Sequence, residues 1–271
     1  MPDGDRQGDL HDVSAACVAV LNAGDARHKV MAARRAAREW RLGRLVHGFA
    51  VAPPDRPARP DRPELLPPNR MPRRGKGSLK GRIALLHALA HIELSAIDLA
   101  FDLIARFGAQ FPRGFVDDWM KVGADEAMHF ALLDRRLGQM GSFYGDLAAH
   151  DGLWEAAQNT AHDAMARLAV VPMVLEARAL DITPDTVERF ELQGDHPSAR
   201  ILNRIYHDEI RHVWCGTHWF RFACQAENID PAPHWQRLVK SYFRGGVKPP
   251  FNDSARQTAG LTREYYGALA Q

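Results

Sequence analysis

Asp125-Glu126-Ala127-Met128-His129 and Asp208-Glu209-Ile210-Arg211-His212 both read D-E-x-x-H. A second shared motif, E-x-x-A-(I/L)-D, precedes each of them, as Glu93-Leu-Ser-Ala-Ile-Asp98 and Glu176-Ala-Arg-Ala-Leu-Asp181. Glu93 and Glu126 are 33 residues apart, and so are Glu176 and Glu209. One helical hairpin therefore occurs twice, with its acidic and histidine positions in the same order and spacing.

A helix advances about 100° per residue, so positions three, four and seven apart share a face. On that face Glu93 has Leu86, Leu89, Ala90, Ala96, Ile97 and Ala100 around it, and Glu126 has Trp119, Val122, Gly123, His129, Phe130 and Leu133. Glu176 lies among Ala169, Pro172, Met173, Ala179, Leu180 and Thr183, and Glu209 among Leu202, Ile205, Tyr206, His212, Val213 and Gly216. Each glutamate is centred in an apolar stripe, which points all four into a core. An uncompensated buried ion costs several kcal/mol, against a total stability of about 5–15 kcal/mol. None of these same-face positions holds a lysine or arginine. Two divalent cations would neutralise four carboxylates, and two neutral imidazoles would complete the ligand set. Glu and His three apart on a helix are separated by about 5–6 Å at the β-carbon, near enough to share an ion. One E-x-x-H on a helix is an ordinary surface arrangement. Six such residues on four helices, in two copies, point to a dinuclear metal site held by Glu93, Glu126, His129, Glu176, Glu209 and His212.

Apolar periodicity predicts helices over Ser78–Phe107, from Pro112 to near Gly141, from an Asp151 N-cap to about Asp181, and from Asp195 to about Glu227. Pro172 is expected to kink the third, and Thr183-Pro184 to open a short separate helix. No apolar/polar alternation is long enough for a strand. The predicted fold is all-α, a four-helix bundle over residues 78–228. A helical extension over 1–50 precedes it, with a loose polar start over 1–10, and another over 229–271 packs on the bundle. Between Pro53 and Pro72 fall eight of the 17 prolines, interleaved with arginines. Proline lacks the N–H that helices and central strands need, so residues 51–77 form an extended arm. Asn69–Arg82 holds six basic residues and no acid. This run is either a phosphate-binding surface or a strap on the bundle, and its lack of aromatics favours the strap.

Glu93, Glu126-x-x-His129, Glu176 and Glu209-x-x-His212 resemble the ligand pattern of the ferritin-like di-iron carboxylate superfamily. Four further segments are similar to an uncharacterised bacterial ferritin-like family with a domain of unknown function: His87–Asp98, His150–Trp154, Glu176–Asp181 and Pro250–Asn252. The resemblance covers about residues 45–265. It implies a ferritin-like bundle in which Glu93, Glu126 and His129 serve one metal and Glu176, Glu209 and His212 the other, with bridging carboxylates. It also implies that Asp125 and Asp208 hydrogen-bond ligand histidines and fix their tautomer. Tyr206, one turn before Glu209, lines the pocket or packs in the core. His91 and His207 sit about 200° from their glutamates and face away. Asp98 and Asp181, about 140° round, are expected to hydrogen-bond neighbouring helices.

Mixed carboxylate and imidazole ligation suits iron, or manganese or an Fe/Mn pair, better than structural zinc. Two irons in a dry pocket could use dioxygen to hydroxylate or oxidise a small organic substrate. The chain shows no flavin or iron–sulfur motif, so an external electron-donor protein is expected. Two other chemistries use the same ligand set, ferroxidase-type iron handling and hydroxylation of tRNA. The basic run is what would bind RNA in the second. There is no H-E-x-x-H, no G-x-S-x-G elbow and no Walker A sequence. The net charge is +2, so any nucleic-acid role rests on a local patch. Three scattered cysteines, an acidic start and short apolar runs lead us to expect a cytoplasmic monomer or small homo-oligomer without a membrane span.

Overall fold

A computed structural model describes residues 12–72 and 77–270. The polar start over 1–10 and Arg73, Arg74 and Lys76 of the basic run lie outside the described residues. In chain order the helices are α1 (Val13–Leu21), α2 (Ala26–Arg41), α3 (Leu79–Phe107), α4 (Arg113–Gln139), α5 (Gly152–Asn159) and α6 (Ala164–Val170). A π turn (Val171–Glu176) follows, then α7 (Ala177–Leu192), α8 (His196–Ala226), α9 (Pro231–Tyr242), α10 (Asp253–Thr258) and α11 (Arg263–Tyr266). The fold is all-α. Among the described residues the only extended pairings are three isolated bridges.

The expected third helix breaks at Thr160–Asp163. Asp163 caps α6 by accepting from the Met165 and Ala166 N–H groups at 2.8 and 3.1 Å. The buried Arg167 donates back to the Ala157 carbonyl (2.6 Å) and the Thr160 hydroxyl (3.0 Å), closing the end of α5. Asp151 makes no side-chain cap, contrary to expectation. Thr183-Pro184 opens no new helix either, since Pro184 lies inside α7. A helical Pro184 leaves the Leu180 carbonyl without its N–H donor. The Asn252 amide supplies one at 3.2 Å, which lets α7 continue.

The chain forms two compact units. One unit draws on the chain up to Pro60 and on Ile97–Ala127. Its core includes Cys17, Val20, Phe101, Ile104, Phe115 and Trp119. Gly123 has no Cβ because a β-carbon there would stand 2.6 Å from the Phe101 ring. Asp98 is fully buried and paired with the fully buried Lys29 of α2. Lys29 also donates to the Val20 carbonyl at 3.2 Å, and Arg59 lies 3.7 Å from the other Asp98 oxygen. Burial raises the Asp98 carboxyl to about 6 although both cations pull it down. Burial also lowers the Lys29 ammonium against the pull of Asp98.

The other unit draws on Asp61–Ala96 and on the chain from Met128 onward. Its core includes Leu86, Leu133, Leu168, Met173, Val213 and Trp235. Asp195 caps α8 through the Ser198 N–H (3.2 Å) and is held by Arg136 (2.7 Å) and Arg82 (3.3 Å). Arg82, read in sequence as part of a basic surface, is thus turned to an ion pair. The arm segment Glu64–Leu66 bonds along Ala149, with N···O distances of 2.9 and 2.8 Å. Asp181 accepts from both guanidinium arms of Arg256 (2.8 and 2.7 Å) and from the Asn252 N–H (3.0 Å). The repeat-equivalent aspartates, Asp98 and Asp181, therefore each take a buried cation from an end of the chain. One comes from α2 and the other from α10. By length and mean hydropathy (1.5), Leu79–Gln110 could cross a membrane, yet 67% of its most apolar window is buried in the protein as in a core helix.

Candidate metal centre

Three of the four glutamates are buried, and the fourth, Glu176, is not. Glu93 on α3, Glu126 and His129 on α4, and Glu209 on α8 are all buried. Each offers one ligand atom, and these atoms lie within 4.8 Å of one another. His212, one turn after Glu209, is fully buried, with its Nδ1 3.4 Å from Glu209 Oε1. The His129 and His212 rings stand 5.7 Å apart. Glu176 is the last residue of the π turn and is half-buried. The structure thus gathers Glu93, Glu126, His129 and Glu209 into one group, with His212 beside Glu209 and Glu176 outside the 4.8 Å set.

His129 shows how the group is wired. Its Nε2 is 3.1 Å from Asp208 Oδ2 and its Nδ1 is 3.1 Å from Glu93 Oε2. Burial pushes the Asp208 carboxyl up, but hydrogen bonds from His129 and Arg204 outweigh it and hold it at about 2. Asp208 is therefore a carboxylate, and Nε2 must carry the proton it accepts. In the neutral ring, Nδ1 then presents a lone pair to a carboxylate oxygen. Two such atoms at 3.1 Å need a proton or a metal ion between them. Glu209 Oε2 is buried and has no hydrogen-bond partner among the described residues. A buried anionic oxygen left this way is costly unless a cation meets it. The donor set of carboxylates and imidazole is one that can hold a metal ion.

A model of a family described as a protein of unknown function, DUF455, matches residues 22–267. The chain belongs to that family. It is also 41% identical over 210 residues to an uncharacterized protein of Haemophilus influenzae, covering 75% of this chain and 73% of the relative. No solved structure gives a significant match. The expectation of an uncharacterised bacterial family is met. The matched region of this DUF455 member contains all six Glu and His positions of the repeat.

The remaining sequence candidates lie around the group. Asp208 reaches the histidine of the other hairpin, and Asp125 is half-buried beside Glu126 on α4. The Tyr206 hydroxyl accepts from the Asn252 amide at 3.1 Å, the same amide that covers Leu180. His91 bonds the Tyr144 hydroxyl (2.9 Å) and the His150 carbonyl (3.1 Å), and His207 bonds the Asn203 carbonyl (2.7 Å), as their facing predicts.

Sequence reading found Pro172 but missed its partner. The six residues Val171–Glu176 wind as a π turn, a local under-winding of the helix that often marks functional sites. A β-carbon on Gly216 of α8 would fall 2.5 Å from Pro172 Cβ and 2.6 Å from Cγ. The glycine is what lets the turn that ends on Glu176 lie against α8. Its signal was legible, because Gly216 shares the stripe of Glu209. Gly216→Ala should lower stability by about 1–2 kcal/mol, since overpacking against a rigid ring outweighs the helix-propensity gain. Denaturant unfolding of the purified variant checks this, and a neutral or stabilising result would show that the contact is soft.

Proposed function

We propose that this chain is a ferritin-like four-helix bundle holding two metal ions, iron before manganese, and that it uses dioxygen to hydroxylate or oxidise a small organic substrate. The four bundle helices would be α3, α4, the run from α6 through α7, and α8. The observation that carries the reading is the buried Glu93, Glu126, His129 and Glu209 group, built from a motif pair that occurs twice. Glu93, Glu126 and His129 would hold one ion, and Glu176, Glu209 and His212 the other. When bound, such a pair supplies the electrons that reduce dioxygen and the oxidising power delivered to substrate.

The chain's own residues would set the conditions for that chemistry. The three gathered carboxylates, with Glu176 of the proposed ligand set, would make the pocket anionic and so select cations. Asp208 keeps His129 in the tautomer whose Nδ1 faces the pocket. The buried apolar residues Leu86, Phe130, Met173 and Val213, which share the helix faces of the glutamates and His212 in sequence, would keep water from the site. Electrons would come from a separate donor protein in the cytoplasm.

Anaerobic loading with ferrous iron followed by exposure to oxygen tests the reading. The loaded protein should take up oxygen faster than the same concentration of free ferrous iron, and a small reductant should sustain turnover. Uptake no faster than free iron would sink the oxidase reading while leaving metal binding intact.

A further inference from the structure

The exposed face of α2 concentrates charge in a chain that is otherwise nearly balanced. Ala26–Arg44 carries seven basic residues and one acid, Glu39, against a total of +2 for the whole chain. Lys29 is turned inward to Asp98, but Arg27, Arg34, Arg35, Arg38, Arg41 and Arg44 are exposed. Glu39 pairs with Arg38 (3.3 Å) and Arg44 (3.2 Å). No ion pair engages Arg27, Arg34, Arg35 or Arg41 among the described residues. At about 100° per residue, Arg27, Arg34, Arg38 and Arg41 fall within about 60° of one another, a single stripe about 21 Å long. The opposite face, with Ala33, Ala36 and Trp40, is buried in the protein.

We propose that this arginine stripe docks the sugar–phosphate backbone of a double-helical nucleic acid, without reading its sequence. Arg34, Arg38 and Arg41 climb the helix in steps of about 4.5–6 Å, and one strand of a duplex presents a phosphate about every 3.4 Å along its axis. One arginine thus meets every first or second phosphate, and a guanidinium grips phosphate with two donors. The stripe offers no exposed aromatic ring on which a single strand could stack. A lipid surface fits less well, because the apolar face that would enter it is already buried, leaving Met31 and Leu42 at the edge. The sequence placed any phosphate surface on the arm at Asn69–Arg82. The exposed stripe on α2 is a separate surface, and the inference does not depend on the metal reading.

The test is fluorescence anisotropy of the full chain with a labelled mixed-sequence RNA duplex of about 20 base pairs, between about 50 and 200 mM salt. The matching DNA duplex, anionic phosphatidylserine vesicles and poly-glutamate serve as comparisons. Binding should weaken steeply with salt, and RNA and DNA duplexes should bind alike. The triple variant Arg34→Ala/Arg38→Ala/Arg41→Ala should lose at least about tenfold in affinity and about two to three units of the log–log salt slope. The triple Arg→Lys variant should recover most of both, and circular dichroism should show every variant folded. Three results would each overturn the proposal: no duplex binding at the lowest salt, an alanine variant with unchanged affinity and slope, or vesicles or poly-glutamate held as tightly as the duplex.

Discussion

Lys29→Met should cost about 3–5 kcal/mol of folding stability, a large share of the roughly 5–15 kcal/mol available to a domain. Asp98 is fully buried, and Lys29 is the cation in direct contact with it. Methionine has nearly the same shape, so the loss reports the stranded charge rather than a cavity. Arg59, at 3.7 Å, compensates only in part. The double variant Lys29→Met/Asp98→Asn removes the charge as well and should recover most of the loss. The dependence on pH has a definite sign. The Asp98 carboxyl, raised to about 6 in the fold, lies above its unfolded value of about 3.9. The cost of ionising it is thus present above about pH 6 and relieved as pH falls toward 4. Without Lys29 the carboxyl moves higher still, so the deficit of the single variant should shrink between pH 7 and pH 5. Denaturant unfolding at the two pH values measures this, and a deficit that grows on acidification would mean Asp98 is not its source.

Glu209→Ala should lower metal capacity from two ions per chain to one or none, and yet leave the metal-free protein at least as stable as before. Both effects come from the same buried carboxylate. With metal present, its oxygens are ligands. Without metal, Oε2 is a buried anionic atom with no hydrogen-bond partner among the described residues, and removing it relieves the protein. Glu126→Ala should behave alike, since Glu126 offers a ligand atom to the same group. Metal analysis and melting curves of apo and loaded protein read the two effects separately. Two ions per chain in both variants would show the ligand assignment to be wrong. A sharp loss of apo stability would show that these carboxylates brace the fold instead.

The central helices and the buried group were legible because their signals are local and repeated. Glu126 and His129 share one turn, and a period-3.6 stripe fixes the direction of each glutamate, so α3, α4 and α8 match their predicted spans within about two residues. What escaped depended on partners far away in sequence. Pro184 looked like a helix start because nothing near it reveals that Asn252 will satisfy the Leu180 carbonyl. The break before α6 depends on Arg167 turning back to Ala157 and Thr160. The motif aspartates do reach other helices, as expected, but nothing local shows that their partners are the cations Lys29 of α2 and Arg256 of α10, 69 and 75 residues away. The winding of the π turn was likewise invisible, because a proline alone announces a kink and not its geometry.

The most direct measurement is elemental analysis combined with Mössbauer spectroscopy on the protein isolated from its own host. The expected result is two metal ions per chain, iron or an iron–manganese pair, with a signal from ions close enough to be magnetically coupled. Protein that folds and functions with a single ion, or with none after loading, would mean that something other than metal balances the buried carboxylates.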